Sequence, residues 1–364
     1  KEIDSLAVAN VVKNYRFAWK NQKEQHRGVP TFKKKSYEQS YQTNAQYNTR
    51  KGITTCNVRF LDKDHVTLPK LGRIRIGASP KIIGSLLHRT ADTRIGTITI
   101  QRDAVGEYWA SFAIASDEPF HQKLEKTGSM QGIDLNLIDL INDCDGGIRE
   151  NKRFYASSRH KLAKAQRKLS RRAEHARAEG RKLQGSVNYQ TQRKKVAYLH
   201  RKIERQRTDY LHVLSKREVE NQDFIAAEDL KVSNMKKNHH LAKAVSDASW
   251  RTFLTMLQYK GAFYGKTVVL IPPQYTTQTC SHCGYIMKGE EHLTLSDREW
   301  DCPNCHTHHA IVARQHLTGQ TGDEGGGNGP FALEEVGNLT GEFPRQFHKR
   351  HDFKCPAEQF SIAF

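Results

Sequence analysis

Nowhere do the 364 residues contain a run of about 18 apolar side chains, so no segment has the make-up of a membrane-spanning helix. The first residues show no basic-then-apolar leader, and the chain opens at Lys1 without a methionine. "KEIDSLAVANVVKNYRFAWKN" reads as the middle of a helical segment, so a preceding piece is expected to be missing. Acidic residues are scarce: 39 Asp plus Glu stand against 58 Lys plus Arg, a formal charge of +19. A cation excess of that size favours a polyanionic partner, because each neutralised phosphate releases condensed counterions. A ribosomal or other basic structural protein is the plainer alternative on charge alone. Cysteines are seven, an odd number, and four of them sit in two tight pairs. That excludes a simple disulfide framework and points to a reduced, metal-binding protein.

The chain is long enough for two or three domains. Residues 1–27 carry Ile3, Leu6, Ala9 and Val12 at a spacing that predicts an amphipathic helix. In "FKKKSYEQSYQTNAQYN", Lys33, Lys34 and Lys35 interleave with Tyr37 and Tyr41. Lysines suit phosphates and tyrosines suit stacking, so these five are candidate nucleic-acid contacts; a solvated loop is the plainer reading. From Thr54 to Ser116, short β-branched and aromatic runs predict a small β-barrel or open sheet. "GSMQGIDLNLIDLIND" reads as a further strand. Residues 159–217 carry two apolar stripes, with Gly180 and Gly185 between them, which predicts an antiparallel helical hairpin. Its outer face includes Lys164, Arg167, Lys168 and Arg171, candidates to lie along a duplex. "DFIAAEDL" and "KTVVLIPP" read as strands flanking an amphipathic helix over 246–265, and the Gly-rich 318–364 as a mobile tail with little core.

Cys280, Cys283, Cys302 and Cys305 form C-x2-C-x18-C-x2-C. Two such knuckles suit the tetrahedral thiolate geometry of structural Zn2+, and four thiolates leave no open position for catalysis. His282 and His306 are alternative ligands. Asp134 and Glu228 each lie in or at the end of an apolar strand, where a carboxylate costs desolvation unless it meets a cation or a donor. If the two meet across neighbouring strands they would hold Mg2+; strand acids are also common without such a role.

Several stretches occur in one order: "GIDLNLIDLI", "KLAKAQRKLSRR", "KKVAYLHRKIERQRTDYLHVLS", "AAEDLKVSNMKKN", "LAKAVSDASWRTFLTMLQYK" and "TTQTCSHCG…WDCPNC". In that order they resemble the TnpB/OrfB family, insertion-sequence-encoded proteins related to miniature type V CRISPR effectors. "VTLPKLGRIRI" and "EYWASF" resemble the family's wedge barrel. The resemblance covers roughly residues 1–317. It implies an α/β fold: an RNase H-like RuvC domain with an inserted helical hairpin and zinc ribbon, preceded by a small β-barrel wedge domain. The expected divisions are 1–50 (helical and basic-aromatic entry), 51–127 (wedge), 128–278 (RuvC-like), 279–306 (ribbon) and 307–364 (RuvC remainder and tail). The resemblance further implies a guide RNA from the transposon end, a double-stranded DNA target, no membrane partner and a cytoplasmic, nucleoid-associated protein. Asp134 and Glu228 match the family's first two catalytic carboxylates.

The chain departs from the family pattern at the third. After the ribbon the family carries a stretch of the form His-Asp-Arg-Asp-x-Asn-Ala-Ala; here the text is "CHTHHAIVARQHL". His309 matches the first residue and Ala310 the last, so about six residues and the third acid are absent. No acid occurs between Asp301 and Asp323, and Asp323 with Glu324 lies in a Gly-rich run. His308 or His309 would be a poor Mg2+ ligand in place of carboxylate. Asn136 also stands where a glycine is usual. Three expectations follow: a guided DNA binder with impaired cleavage, an active Mg2+-dependent endonuclease with a substitute ligand, or a decayed transposon remnant.

Overall fold

Strict alternation shapes the first part of the chain. In β7 (Thr93–Arg102) Ile98 and Ile100 point inward, and opposite them in β8 (Tyr108–Ser116) so do Ala110, Phe112 and Ile114. Ile98 pairs with Phe112 and Ile100 with Ala110, so the middle of one face of the ladder is apolar. This computed structural model describes residues 3–310 apart from 27, 32–38, 78–82, 85–86, 88–92, 274, 276–277, 281, 294–296 and 298, together with the backbone of 358–363. The chain forms two compact units: residues 1–120 with 171–198 and 344–364, and residues 121–170 with 199–343.

The first unit holds three antiparallel sheets. β1 (Gln39–Asn44), β7, β8 and β16 (Glu358–Ala363) form one; β2 (Tyr47–Arg50) and β3 (Ile53–Cys56) another; β4 (Arg59–Asp62), β5 (His65–Leu68) and β6 (Gly72–Arg75) the third. Val58, Val66, Leu68, Ile98 and Phe112 lie in their common core. β16 departs from the expectation of an irregular tail, because its backbone completes the ladder beside β8. Helix α1 (Ser5–Gln25) is also reversed from expectation. Its polar side faces β1, with Asn10 Nδ2 donating to the Gln42 carbonyl at 3.1 Å and Asn14 Nδ2 to Gln42 Oε1 at 2.9 Å. Val8, Val12 and Tyr15 are left exposed. Amide pairing along β1, rather than the apolar stripe, sets the helix's orientation.

The second unit is built on a five-stranded sheet of order β11-β10-β9-β12-β13. Its strands are β9 (Met130–Leu135), β10 (Asp139–Asp143), β11 (Ile148–Glu150), β12 (Phe224–Glu228) and β13 (Thr267–Ile271). The first three run antiparallel, whereas β12 is parallel to both β9 and β13. β12 is buried along nearly its whole length, as a central strand covered on both faces should be. The single strand expected over 128–143 is instead the hairpin β9–β10. Asn136 Oδ1 accepts from the Ile138 and Asp139 N–H groups at 3.0 and 2.8 Å and turns the chain.

Two long helices, α2 (Phe154–Ala178) and α3 (Val187–Asn221), lie between β11 and β12. α2 ends where Gly180 takes φ +67°, a left-handed stop that glycine adopts without strain. Arg172 Nη1 donates to the Asn188 carbonyl at 2.6 Å, and the rings of Phe154 and Tyr210 meet at 6.0 Å. These contacts run in opposite order along the two helices, which makes the pair the expected antiparallel hairpin. The Asp247 carboxylate accepts the Tyr155 and Ala156 N–H groups at 2.9 and 3.2 Å and so caps α2 from a distant part of the chain.

The helix expected over 246–265 is broken. α4 (Val232–Met235) and α5 (Ala242–Ala248) precede Ser249, which sits at φ +55°, and α6 (Trp250–Tyr264) starts after it. Trp250, Phe253, Leu254 and Leu257 recur at helical spacing and fill the core with Ile133, Leu140 and Ile225. A Cβ at Gly261 would lie 2.8 Å from Val268 Cγ2 and 3.1 Å from the Lys266 carbonyl, so α6 depends on a bare backbone to reach β13. Gly261→Ala is expected to cost about 1–3 kcal/mol, read as a lowered urea midpoint; an unchanged midpoint would show that the helix can shift freely.

Candidate functional site

β9 and β12 pair in parallel with Phe224 opposite Met130 and Ala227 opposite Ile133. One step further along each strand are Glu228 and Asp134. Residues in register on adjacent strands project to the same face, with Cα atoms about 4.8 Å apart. The two carboxylates therefore sit side by side at the C-terminal ends of the two central strands. Glu228 is buried and Asp134 half-buried. The next acid, Asp229, is exposed and pairs with Arg251 at 3.1 Å, so of two consecutive acids only Glu228 joins this row.

Across β9–β10, Asp134 pairs with Asn142, which continues the row onto a third strand. The Asn142 Oδ1 atom is buried and has no hydrogen-bond partner. Glu228, Asp134 and Asn142 thus place hard oxygen atoms, the donor type Mg2+ prefers, in line across the sheet. Asn136 does not adopt a left-handed conformation, so a glycine is not demanded there.

The cysteine centre is assembled by two copies of one local structure, related by an offset of 22 residues. Cys280 N–H donates to the Tyr285 carbonyl at 2.7 Å, as Cys302 N–H does to Thr307 at 2.9 Å. Gly284 N–H donates back to Cys280 at 3.0 Å, as His306 N–H does to Cys302 at 2.8 Å. The residue after each second cysteine is left-handed, with φ +73° at Gly284 and +57° at His306. Thr279 bridges Ile286 as Asp301 pairs with His308 in the two-stranded sheet of β14 (Glu299–Asp301) and β15 (His308–Ala310).

These knuckles bring the four Sγ atoms within 4.8 Å of one another. Cys280–Cys305 and Cys283–Cys302 are both 3.5 Å apart. A zinc tetrahedron with bonds of about 2.3 Å has edges of about 3.8 Å, so the set fits Zn2+. Burial pushes the Cys280 thiol up to about 12, so a cation has to displace its proton. Burial also works to raise Cys283, but hydrogen bonds from Asn304 and the Tyr285 backbone hold it at about 6. Among the described residues, His282 and His306 are outside the ligand group, and no third His, Cys, Asp or Glu joins Asp134 and Glu228 in such a group. His308 is exposed and meets Asp301 at 2.9 Å. His309 is 5% exposed and stacks on Trp300, centroids 4.4 Å apart; burial keeps its imidazole on the neutral side of the ordinary histidine range.

Lys164, Arg167, Lys168 and Arg171 are all exposed on α2, which carries eight Lys or Arg against one acid, Glu174. Leu162, Ala165 and Ala176 take the buried side. Tyr41 lies half-buried against the core of the first unit, and burial, followed by the Asp4 charge, raises its hydroxyl pKa. Lys33, Lys34, Lys35 and Tyr37 lie outside the described residues, as do Asp323 and Glu324. Sequence reasoning overlooked Asn142 and the burial of His309 against the cysteines. The first needed the β9–β10 register; the second was visible as the 22-residue offset that sets His309 against Met287.

A family model described as "Probable transposase" (OrfB) matches residues 111–239, and one described as "Cas12f1-like, TNB domain" matches residues 250–311. A Streptomyces pristinaespiralis protein named "Putative RNA-guided DNA endonuclease" is 35% identical over 224 residues, 61% of this chain and 52% of that protein. The Escherichia coli K12 protein "Putative RNA-guided DNA endonuclease InsQ" is 27% identical over 319 residues, 83% of this chain and 70% of its own length. The chain thus spans about half the length of the first relative and more of the second. A solved chain in "Cryo-EM structure of the Cas12f1-sgRNA-target DNA complex" has 12% identity and a TM-score of 0.35, covering 86% of this chain and 78% of that one. A likeness that weak carries no argument.

Proposed function

We propose that this chain, a member of the TnpB/OrfB family, is a transposon-encoded RNA-guided DNA-binding protein built around a RuvC-like two-carboxylate site. The observation that carries the proposal is the register that sets Glu228 beside Asp134 on two central parallel strands. The sheet order, three antiparallel strands followed by two parallel ones, supports an RNase H-like reading of residues 128–278. The antiparallel first unit supports a wedge module over 51–127, and the cysteine knuckles a zinc ribbon over 279–306. The relatives' names, RNA-guided DNA endonucleases, support RNA and DNA as partners, and a guide RNA with a double-stranded DNA target belongs to this proposal. Among the described residues no helix is long and apolar enough to cross a membrane, and a cytoplasmic, nucleoid-side location belongs to the same proposal.

Asp134 and Glu228 are the residues that would hold Mg2+, with the Asn142 amide oxygen alongside. A divalent cation there would supply Lewis-acid stabilisation of a phosphodiester under attack. The chain's own groups hold the negative charge in a partly dry row and so concentrate a cation at the strand ends. The exposed cations of α2 would grip the nucleic-acid backbone without reading its sequence, which guide pairing would supply. With no acid between Asp301 and Asp323, the site has two carboxylates where the family pattern has three, and cleavage is impaired while binding persists.

The test is co-expression with native flanking DNA, followed by purification and analysis of bound RNA. A discrete transposon-end RNA should co-purify. Exchange of Lys164, Arg167, Lys168 and Arg171 for Gln should weaken binding of matched DNA at least tenfold and flatten its dependence on salt. Unchanged affinity and salt slope would remove α2 from the interface.

A further inference from the structure

We infer that His309 is a positioning residue of the cysteine centre, donating its Nε2–H to the Cys280 thiolate. The inference rests on a metal filling the four-cysteine set, but not on the guided-binding reading. His309 Nε2 lies 3.1 Å from Cys280 Sγ. A zinc-bound thiolate carries no proton, so the hydrogen in that contact belongs to the imidazole. The ring is fixed from two sides: its strand pairs His309 with Trp300, and the two rings stack at 29°. The same sulfur also accepts the Cys283 N–H at 3.4 Å.

The internal repeat isolates what the imidazole adds. An offset of 22 maps Cys280 onto Cys302 and Met287 onto His309, and both Met287 and His309 are buried in the small core of this module. An apolar side chain therefore fills this place in one knuckle. In the other knuckle the place is taken by a ring that can donate a hydrogen bond. Four thiolates give zinc a net charge of −2, and donors to sulfur spread that charge and fix the ligand's direction. Cys280 is itself buried, and it is the sulfur that receives the extra donor.

Three forms of the full chain would be compared for zinc transfer to a chromogenic chelator: wild type, His309→Met and His309→Gln. The Met variant copies the other knuckle and keeps the packing, whereas Gln keeps an N–H near the Nε2 position. Zinc affinity should fall about 10- to 100-fold in His309→Met and stay close to wild type in His309→Gln. X-ray absorption at the zinc edge should report four sulfur ligands in wild type and in the Gln variant. Equal zinc retention in the Met variant would overturn the role, as would equal loss in both variants. Three sulfurs and one nitrogen in wild type would overturn it too, by making His309 a ligand. A wild-type chain without zinc would overturn this inference and the metal reading together, while leaving guided binding untouched.

Discussion

Cys302→Ser is expected to abolish zinc binding and melt residues 278–310 while the rest of the second unit stays folded. Among the described residues the module's buried apolar set is Cys280, Met287, Trp300 and Cys302, and its regular strands are three residues long. So small a core cannot offset the conformational entropy of the loops it orders. Structural zinc supplies about 10–16 kcal/mol of apparent binding energy at neutral pH, and in such a module that is folding energy. Among the described residues the large core around Trp250 and Phe253 includes none of the ribbon, so it should survive. Metal analysis should fall from one zinc per chain to near zero. Trypsin should then cut selectively between residues 278 and 310. A variant that retains one zinc with unchanged proteolysis would show that the four-thiolate centre does not hold this module together.

Asp223→Asn is expected to cost about 3–5 kcal/mol, because it leaves a buried ammonium without its counter-charge. Lys266 Nζ lies 2.5 Å from Asp223 Oδ1, and the lysine side chain is 1% exposed. The same carboxylate accepts the N–H groups of Thr127 and Gly128 at 3.0 and 2.7 Å. Burial works to raise the Asp223 carboxyl, but Lys266 and the two backbone donors outweigh it and hold it at about 2, against an ordinary 3.8. Because the folded value is depressed, the stabilisation is complete above pH 3.8 and is lost as the pH falls towards 2. A depression of that size corresponds to about 2 kcal/mol. Urea midpoints of the wild type should therefore drop between pH 4 and pH 2 by more than those of Asp223→Asn, and Lys266→Met should partly rescue the variant. Parallel acid profiles would contradict the assignment.

Asp223 also matters for the site. Its N–H donates to the Ser129 carbonyl at 2.8 Å, and its carbonyl accepts the Thr267 N–H at 2.8 Å, so it fixes where β12 begins against β9 and β13. A slip of one residue would turn Glu228 to the opposite face of the sheet. The carboxylate row thus depends on an ion pair at the other end of the strand.

The parts legible in the sequence were those written in spacing. The two knuckles announce themselves because a metal needs its thiolates at fixed intervals, and the hairpin because apolar residues recur on one side of two basic helices. Asp134 and Glu228 could be picked out as acids among apolar neighbours. That they stand side by side follows from a β9–β12 register linking residues almost a hundred positions apart. Asn142 was hidden for the same reason, compounded by reading β9 and β10 as one strand. The orientation of α1 was missed because amide pairing with β1 outweighs the apolar stripe, which hydrophobic periodicity cannot report. His309 was read as the remnant of a catalytic stretch; its burial against Cys280 and Trp300 requires the pairing of β14 with β15.

The most direct measurement is a single gel that reports binding and cutting together. Protein purified with its own RNA is given guide-matched and mismatched DNA with Mg2+, with and without prior RNase treatment. The expected result is matched DNA that is shifted, RNase-sensitive and uncut, with the same shift from Asp134→Ala. Cut DNA that disappears in Asp134→Ala would keep guided recognition and overturn the impairment of cleavage. A shift indifferent to RNase and to guide matching would contradict the central claim, leaving a basic protein that binds DNA by charge alone.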